Sequence, residues 1–253
     1  MLRLVAKRLG VQKVRPQAER ARPSTNGFRR GSISDVPAGE RCLTPAHEAF
    51  YTSPKTINKW RHYFTIYDRH LAKFRNKPAR ILEIGVFKGG SLLMWRRYFG
   101  EEAIIFGIDI DPACAEHDGD GGQVRIGSQD DPQFLRSVVA EMGGIDVVLD
   151  DGSHVAHHQL ASFSTLFPML DAHGLYICED THTAYWSDWG GGYRRPDTFI
   201  EFAKQMIDDL HAQFHDHGGS IVDAKSVASV HFYNSVVVIE KDPQVSAVPL
   251  MNA

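Results

Sequence analysis

Two short acidic segments carry residue types that could do chemistry together: Leu149-Asp150-Asp151-Gly152-Ser153-His154 and Cys178-Glu179-Asp180-Thr181-His182. Each follows a run that reads as a buried strand, Ile145-Asp146-Val147-Val148 before the first and Gly174-Leu175-Tyr176-Ile177 before the second. In an open α/β sheet, ligands bind outside the carboxyl ends of the strands, so acids at two such ends can converge on one small volume. Converging carboxylates repel one another unless a cation or a proton sits between them. Hard oxygen donors of this kind suit magnesium, calcium or manganese. The chemistry they point to is a metal-assisted reaction.

A second group lies upstream. Glu83-Ile84-Gly85-Val86-Phe87-Lys88-Gly89-Gly90-Ser91 ends one strand and opens a helix. Glycines there let the backbone turn sharply, and helix amides face the negative groups of a ligand. Asp109 closes the next strand about 19 residues after Gly90, where a carboxylate can accept both hydroxyls of a ribose. Ser128 and Gln129, in the turn Gly127-Ser128-Gln129-Asp130 after the third strand, complete a nucleotide-type pocket. The loop lacks the second glycine of a G-x-G-x-x-G dinucleotide motif, and Lys88 precedes rather than follows the glycines a P-loop needs.

The elements that must position these groups alternate. Ile57, Trp60, Phe64, Tyr67, Leu71 and Phe74 recur at helical spacing and predict a helix over residues 44–75, before Pro78 breaks the pattern. Strands are expected at 80–85, Ile104–Asp109, Gln123–Ile126, Ile145–Asp150 and 174–179. Helices are expected between them at Gly90–Phe99 (capped by Ser91), Pro112–His117, Pro132–Met142 and 156–170. A Gly-, Trp- and Tyr-rich loop at 181–195, a helix at 198–217 and a hairpin of Val227–Tyr233 and Val236–Lys241 follow. This order argues for an α/β fold with a mostly parallel seven-stranded sheet, helices on both faces and a C-terminal antiparallel hairpin.

Composition sets the bounds. A chain of 253 residues with formal net charge -3 is long enough for one large domain and has no global pull toward nucleic acid or a membrane. No apolar run approaches the roughly 20 residues of a membrane helix. Cys42, Cys114 and Cys178 are scattered and odd in number, so a reducing cytoplasm is the expected compartment. Residues 1–43 are rich in Arg and Lys and read as a poorly ordered tail with a short helix near 2–9, a transit peptide being the lesser reading. The folded domain is expected over 44–245, with a second tail at 246–253.

An acid at the end of the first strand, then Gly and a Gly-Gly-Ser turn, resembles the first motif of class I S-adenosylmethionine-dependent methyltransferases, a Rossmann-like family whose sheet ends on an antiparallel strand. The segments Arg80-Ile-Leu-Glu-Ile-Gly-Val-Phe-Lys-Gly-Gly-Ser, Gly107-Ile-Asp-Ile-Asp-Pro, Asp150-Asp-Gly-Ser-His, Glu179-Asp-Thr-His-Thr-Ala-Tyr-Trp and Phe232-Tyr-Asn-Ser-Val-Val-Val-Ile-Glu-Lys together resemble a narrower group. It comprises the metal-dependent sugar O-methyltransferases of the mycinamicin and tylosin type, with rhamnosyl O-methyltransferases and cephalosporin-hydroxylase-like relatives.

The resemblance implies S-adenosylmethionine held by Glu83, Gly85, Lys88, Gly89, Gly90, Ser91, Asp109, Ser128 and Gln129. It implies Mg held by Asp151, Glu179 and Asp180, and a sugar or glycosylated small molecule as acceptor. An oligomer is expected from the resemblance alone. His154 fits the general base, since an ordinary imidazole pKa near 6.5 suits work around neutrality. Asp150 reads as a cap or a hydrogen-bonding support, His157 and His158 as structural, and His182 as either pocket or support. Tyr185, Trp186, Trp189 and Tyr193 could stack on a sugar face or merely pack. Two other readings compete. His154, His157, His158, Glu179, Asp180 and His182 could gather zinc or iron for a hydrolase or oxygenase, or the fold could bind a ligand without turnover. Both leave the glycine turn and Asp109, or the retained acids and base, without a purpose.

Overall fold

A computed structural model of the chain describes residues 44–215, 226–243 and 247–252. The basic segment 1–43 and the end of the expected 198–217 helix lie outside the described residues. The strands form one sheet: β1 (Arg80–Ile84), β2 (Ile104–Asp109), β3 (Gln123–Ile126), β4 (Ile145–Asp150), β5 (Leu170–Cys178), β6 (Val227–Tyr233) and β7 (Val236–Lys241). Their spatial order is β3-β2-β1-β4-β5-β7-β6, parallel except where β7 runs antiparallel between β5 and β6. The expected fold class holds, with the hairpin at one end of the sheet and its second strand, β7, next to the edge strand β6.

Six α-helices are present among the described residues: α1 (Pro45–Tyr51), α2 (Tyr63–Leu71), α3 (Gly90–Phe99), α4 (Pro132–Met142), α5 (Ala156–Leu166) and α6 (Phe199–Leu210). Successive strand side chains point to opposite faces, and this alternation sorts the core into two layers. Ile81, Val147, Leu149, Leu175, Ile177, Val236 and Val238 pack under α1, α2 and α3. Leu82, Ile84, Phe106, Ile108, Val148, Tyr176, Val237 and Ile239 pack under α4, α5 and α6. Trp95 of α3 is wholly buried in the first layer; burial of a large apolar side chain contributes roughly 1.5–3 kcal/mol.

Several expected boundaries move. The helix predicted over 44–75 is two helices, because the chain leaves the helical path at Thr52 and runs without regular structure to Arg61. Pro54 cannot continue a helix, and side-chain burial alternates along 52–60, the mark of an extended strap rather than a helix. The helix expected over 156–170 ends at Leu166, where Pro168 converts the chain to a 3-10 turn (Phe167–Met169). The strand expected at 174 begins at Leu170, with a shift in register against β4. Pro112–His117 is a 3-10 turn, and the aromatic loop contains two more. Ser91 is not a cap: Gly89 precedes the helix in a left-handed conformation and no side chain caps it.

Candidate active site

Strand register fixes the frame. Ile84 pairs with Ile108 on one side and Asp150 on the other, and Asp150 pairs with Cys178. The next residue of each strand therefore falls in one row across the carboxyl edge: Asp109, Gly85, Asp151, Glu179. Backbone bonds tie that row together, from Gly85 N to Ile108 O (2.8 Å), Asp151 N to Ile84 O (3.0 Å) and Glu179 N to Asp150 O (2.9 Å). The sheet changes winding direction between β1 and β4, which is where a crevice for a ligand opens in this architecture.

On the β1–β2 side the site is made of backbone. Gly85 has φ +96°, and a Cβ there would stand 2.2 Å from the Asp151 carbonyl oxygen, so no side chain fits. A Cβ on Gly90 would stand 2.3 Å from the Thr56 carbonyl oxygen, where the strap crosses the turn. The Asp109 carboxylate accepts from the amides of Val86 (2.9 Å), Phe87 (3.1 Å) and Asp111 (2.9 Å). Burial pushes that carboxyl upward, but the three amides outweigh it and hold Asp109 below the usual carboxylate range. A carboxylate offers about four acceptor positions, so Asp109 braces the loop and keeps room for a hydroxyl donor.

Not every expected cofactor residue faces the crevice. Both Glu83 oxygens are engaged beneath the turn, by Ser91 Oγ (2.7 Å) and Trp95 Nε1 (2.8 Å), and burial pushes the carboxyl up to about 7. Gln129 is buried, accepting from Ser153 N (2.7 Å) and donating to Ser162 Oγ (2.9 Å). Ser128 donates to Asp130. Gly89 packs against His117, while Lys88 is exposed, its ammonium 5.4 Å from the Phe87 ring. Glu83, Ser91 and Gln129 thus shape the pocket from behind.

On the β4–β5 side the site is made of side chains. Asp151, His154 and Asp180 each offer a ligand atom within 4.8 Å of the others. His154 Nε2 lies 3.8 Å from Asp151 Oδ1 and 3.6 Å from Asp180 Oδ2, and its Nδ1 is buried with no hydrogen-bond partner among the described residues. Both His154 (φ 58°) and Asp180 (φ 50°) are left-handed non-glycine residues. Such strain costs on the order of 1–3 kcal/mol and collects at functional sites. Thr183 Oγ1 donates to the His154 carbonyl (2.9 Å), joining the two loops.

Three residues that the sequence did not mark as site residues complete this half. Lys59 of the strap inserts its ammonium between Asp151 Oδ2 (2.6 Å) and Glu179 Oε2 (2.8 Å), with its side chain only 1% exposed. Burial alone would discharge it, but the two carboxylates hold it charged, well above the ordinary lysine range. Tyr67 donates to Glu179 Oε1 (2.7 Å) and Tyr63 to Asp180 Oδ1 (2.5 Å). Burial pushes the Glu179 carboxyl upward, Lys59 pulls it back, and Asp151 adds to the upward push. Both Glu179 oxygens are therefore committed, and Glu179 joins the cluster through Lys59. Helical spacing of Tyr63 and Tyr67 was visible in the sequence, but nothing local marks them or Lys59 as facing acids more than 90 residues away.

Asp150 sits on the opposite face, held by Tyr176 OH (2.6 Å) and Gln129 Nε2 (3.2 Å), with burial pushing it up to about 6. The histidine-rich grouping of the zinc or iron reading is not assembled. His157 and His158 gather with Asp130, and His182 bonds Ser235 Oγ while lying between the rings of Trp60 (5.7 Å) and Trp186 (4.7 Å). Trp186 packs on Trp189, whereas Tyr185 and Tyr193 are exposed. Carboxylate oxygens that already enclose an ammonium fit a hard divalent cation.

The strand order, the inserted antiparallel β7 and the glycine turn define the class. The family described as Methyltransferase domain matches residues 82–181, and the fold is that of the Rossmann-like methyltransferases. Within that class it is similar to sugar O-methyltransferases of antibiotic biosynthesis. An 8-demethyl-8-(2-methoxy-alpha-L-rhamnosyl)-tetracenomycin-C 3'-O-methyltransferase of Streptomyces olivaceus is 40% identical over 202 residues, covering 73% of this chain and 51% of that protein. Mycinamicin VI 2''-O-methyltransferase of Micromonospora griseorubida is 36% identical over 197 residues, covering 71% and 48%. The solved structure of MycE methyltransferase in complex with Mg, SAH and mycinamycin VI has a TM-score of 0.70 at 32% identity, covering 79% of this chain and 53% of that one. The chain spans about half the length of the curated relatives it matches. Among the described residues no helix is long and apolar enough to cross a membrane.

Proposed function

We propose that this chain is a magnesium-assisted O-methyltransferase that moves a methyl group from S-adenosylmethionine to a hydroxyl of a sugar or glycosylated small molecule. The observation that supports the reading is the single row Asp109, Gly85, Asp151, Glu179, in which Asp109 would accept a ribose hydroxyl beside acids that would hold a cation. Asp151, Glu179 and Asp180 would hold the metal, Asp151 and Glu179 through the oxygens that here enclose the Lys59 ammonium. Magnesium, when bound, would supply Lewis acidity and a template for neighbouring acceptor oxygens, and S-adenosylmethionine would supply the methyl group.

The chain's own groups do the rest. His154 takes the proton of the attacking hydroxyl: its Nε2 faces the acid cluster, 3.8 Å from Asp151 Oδ1 and 3.6 Å from Asp180 Oδ2. Tyr63 and Tyr67 fix the rotamers of Asp180 and Glu179, so the acids are in place before the acceptor arrives. Trp60 and Trp186 flank His182, with ring centroids 5.7 and 4.7 Å away, and flat apolar faces of this kind suit a sugar ring. Alignment of two reactants in one crevice contributes much of the acceleration in a displacement of this type. A reducing cytoplasm is the proposed compartment, in keeping with the free, buried Cys114 and Cys178.

The test is a screen of deoxysugar glycosides with enzyme, S-adenosylmethionine and magnesium, read as a gain of one methyl group by mass. Failure to bind S-adenosylmethionine under any metal condition sinks the reading. The His154→Ala variant is expected to lose about 10²–10⁴-fold in turnover with metal affinity little changed; a near-normal rate rejects it as the base.

A further inference from the structure

We infer that His70, His231 and Glu240 form a second metal site, separate from the acid cluster and suited to a transition ion of the zinc type. It lies where α2 meets the β6–β7 hairpin. Each of the three offers a ligand atom within 4.8 Å of the others. His70 Nδ1 is 3.4 Å from Glu240 Oε1, His231 Nε2 is 3.9 Å from Glu240 Oε2, and the two imidazole rings are 4.7 Å apart. Zinc bonds of about 2.0–2.2 Å place tetrahedral ligand atoms roughly 3.4 Å from one another, so the group needs only small adjustments to close on an ion.

The surroundings are those of a built site. Ser229, His231 and Tyr233 alternate along β6 and so share one face, and Glu240 is the register partner of Ser229. Tyr233 OH bonds His70 Nε2 at 2.8 Å, leaving Nδ1 to face the carboxylate, the arrangement by which a neighbour orients a ligating imidazole. Ser229 Oγ bonds both Glu240 Oε2 (2.8 Å) and His231 Nε2 (2.9 Å), setting those two ligands toward each other.

His231 and Glu240 are 38% and 32% exposed in their side chains, so an ion has a path in from solvent and a vacant fourth position for water. Lys73, on the same side, is directed to the His173 carbonyl at 3.2 Å. Two imidazoles and a carboxylate select zinc, cobalt, nickel or copper over magnesium. Because α2 also carries Tyr63 and Tyr67, an ion here would clamp to the sheet edge the helix that holds Asp180 and Glu179 in place.

Metal-stripped full-length protein, titrated with zinc and cobalt in saturating magnesium, tests this by calorimetry and by the cobalt ligand-field spectrum. One zinc site is expected in the unaltered chain and in Asp151→Asn. His231→Ala and Glu240→Gln should each weaken it at least about tenfold and remove the zinc-induced rise in Tm, while His157→Ala/His158→Ala leaves both unchanged. Both ligands tested are partly exposed, and Glu240→Gln keeps the shape of the original side chain should His231→Ala fail to fold. Zinc binding that is absent, that survives both substitutions, or that disappears instead with Asp151 or with His157 and His158 overturns the inference.

Discussion

The two halves of the carboxyl edge are built by opposite means. On the β1–β2 side, glycines and backbone amides make the pocket, and almost all of it comes from residues 83–91 together with Asp109. On the β4–β5 side, the pocket is a set of charged side chains drawn from the strap, α2 and two strand ends, at positions 59, 63, 67, 151, 154, 179 and 180. The first half is rigid because glycine lets main chain approach main chain. The second is rigid because buried opposite charges and tyrosine hydroxyls satisfy one another. One half is thus suited to hold a cofactor by shape, the other to hold a cation by charge.

That division can be broken by substitution. Asp151→Ala should cut turnover by about 100-fold or more while leaving the affinity for S-adenosylmethionine within a few-fold, measured by calorimetry on a variant shown to fold. Equal loss of cofactor binding would merge the two halves. Lys59→Ala strips the counter-charge from buried acids and should cost about 3–5 kcal/mol in denaturant unfolding. Magnesium should restore more stability to this variant than it adds to the unaltered chain, and no such gain would mean that metal and ammonium do not share the carboxylates.

Smaller effects belong to the backbone half. Gly85→Ala meets a carbonyl oxygen at 2.2 Å in a left-handed conformation and should lose about 1–3 kcal/mol of stability, with cofactor affinity falling alongside; a neutral outcome would show that the β1 turn can move. Asp109→Ala frees the Val86 and Phe87 amides and should weaken cofactor binding about tenfold, roughly 1.4 kcal/mol, with magnesium affinity unchanged. The Asp109 pKa is lower folded than unfolded, so its contribution to stability is present above the unfolded value near 3.9 and fades as pH falls through the folded one. An acid titration of Asp109→Ala against the unaltered chain should show that difference closing only at strongly acidic pH.

Much of the fold was legible because strands and helices announce themselves in local periods. Strands β1 to β4, the hairpin and helices α3 and α4 fall where alternation and helical spacing place them. The strap was misread for a physical reason: Ile57 and Trp60 continue a three-to-four spacing that also fits an extended run, and only Pro54 and Thr52 betray the break. Ser91 looked like a cap because caps are short polar residues, yet it turns inward to the buried Glu83. The same competition explains Gln129, whose amide is taken by groups of β4, the turn after it and α5.

By itself the sequence determined the class of sheet, the glycine turn and the presence of acids at adjacent strand ends, since each rests on contacts within a few residues. Only the tertiary structure decided which acids meet. Strand register put Asp109, Gly85, Asp151 and Glu179 in one row and turned Asp150 to the other face. It also brought Lys59, Tyr63 and Tyr67 across a long stretch of chain to hold those acids. Charge pairing at such separations has no local signature, because it arises from the balance of burial and opposite charge that exists only once the layers close.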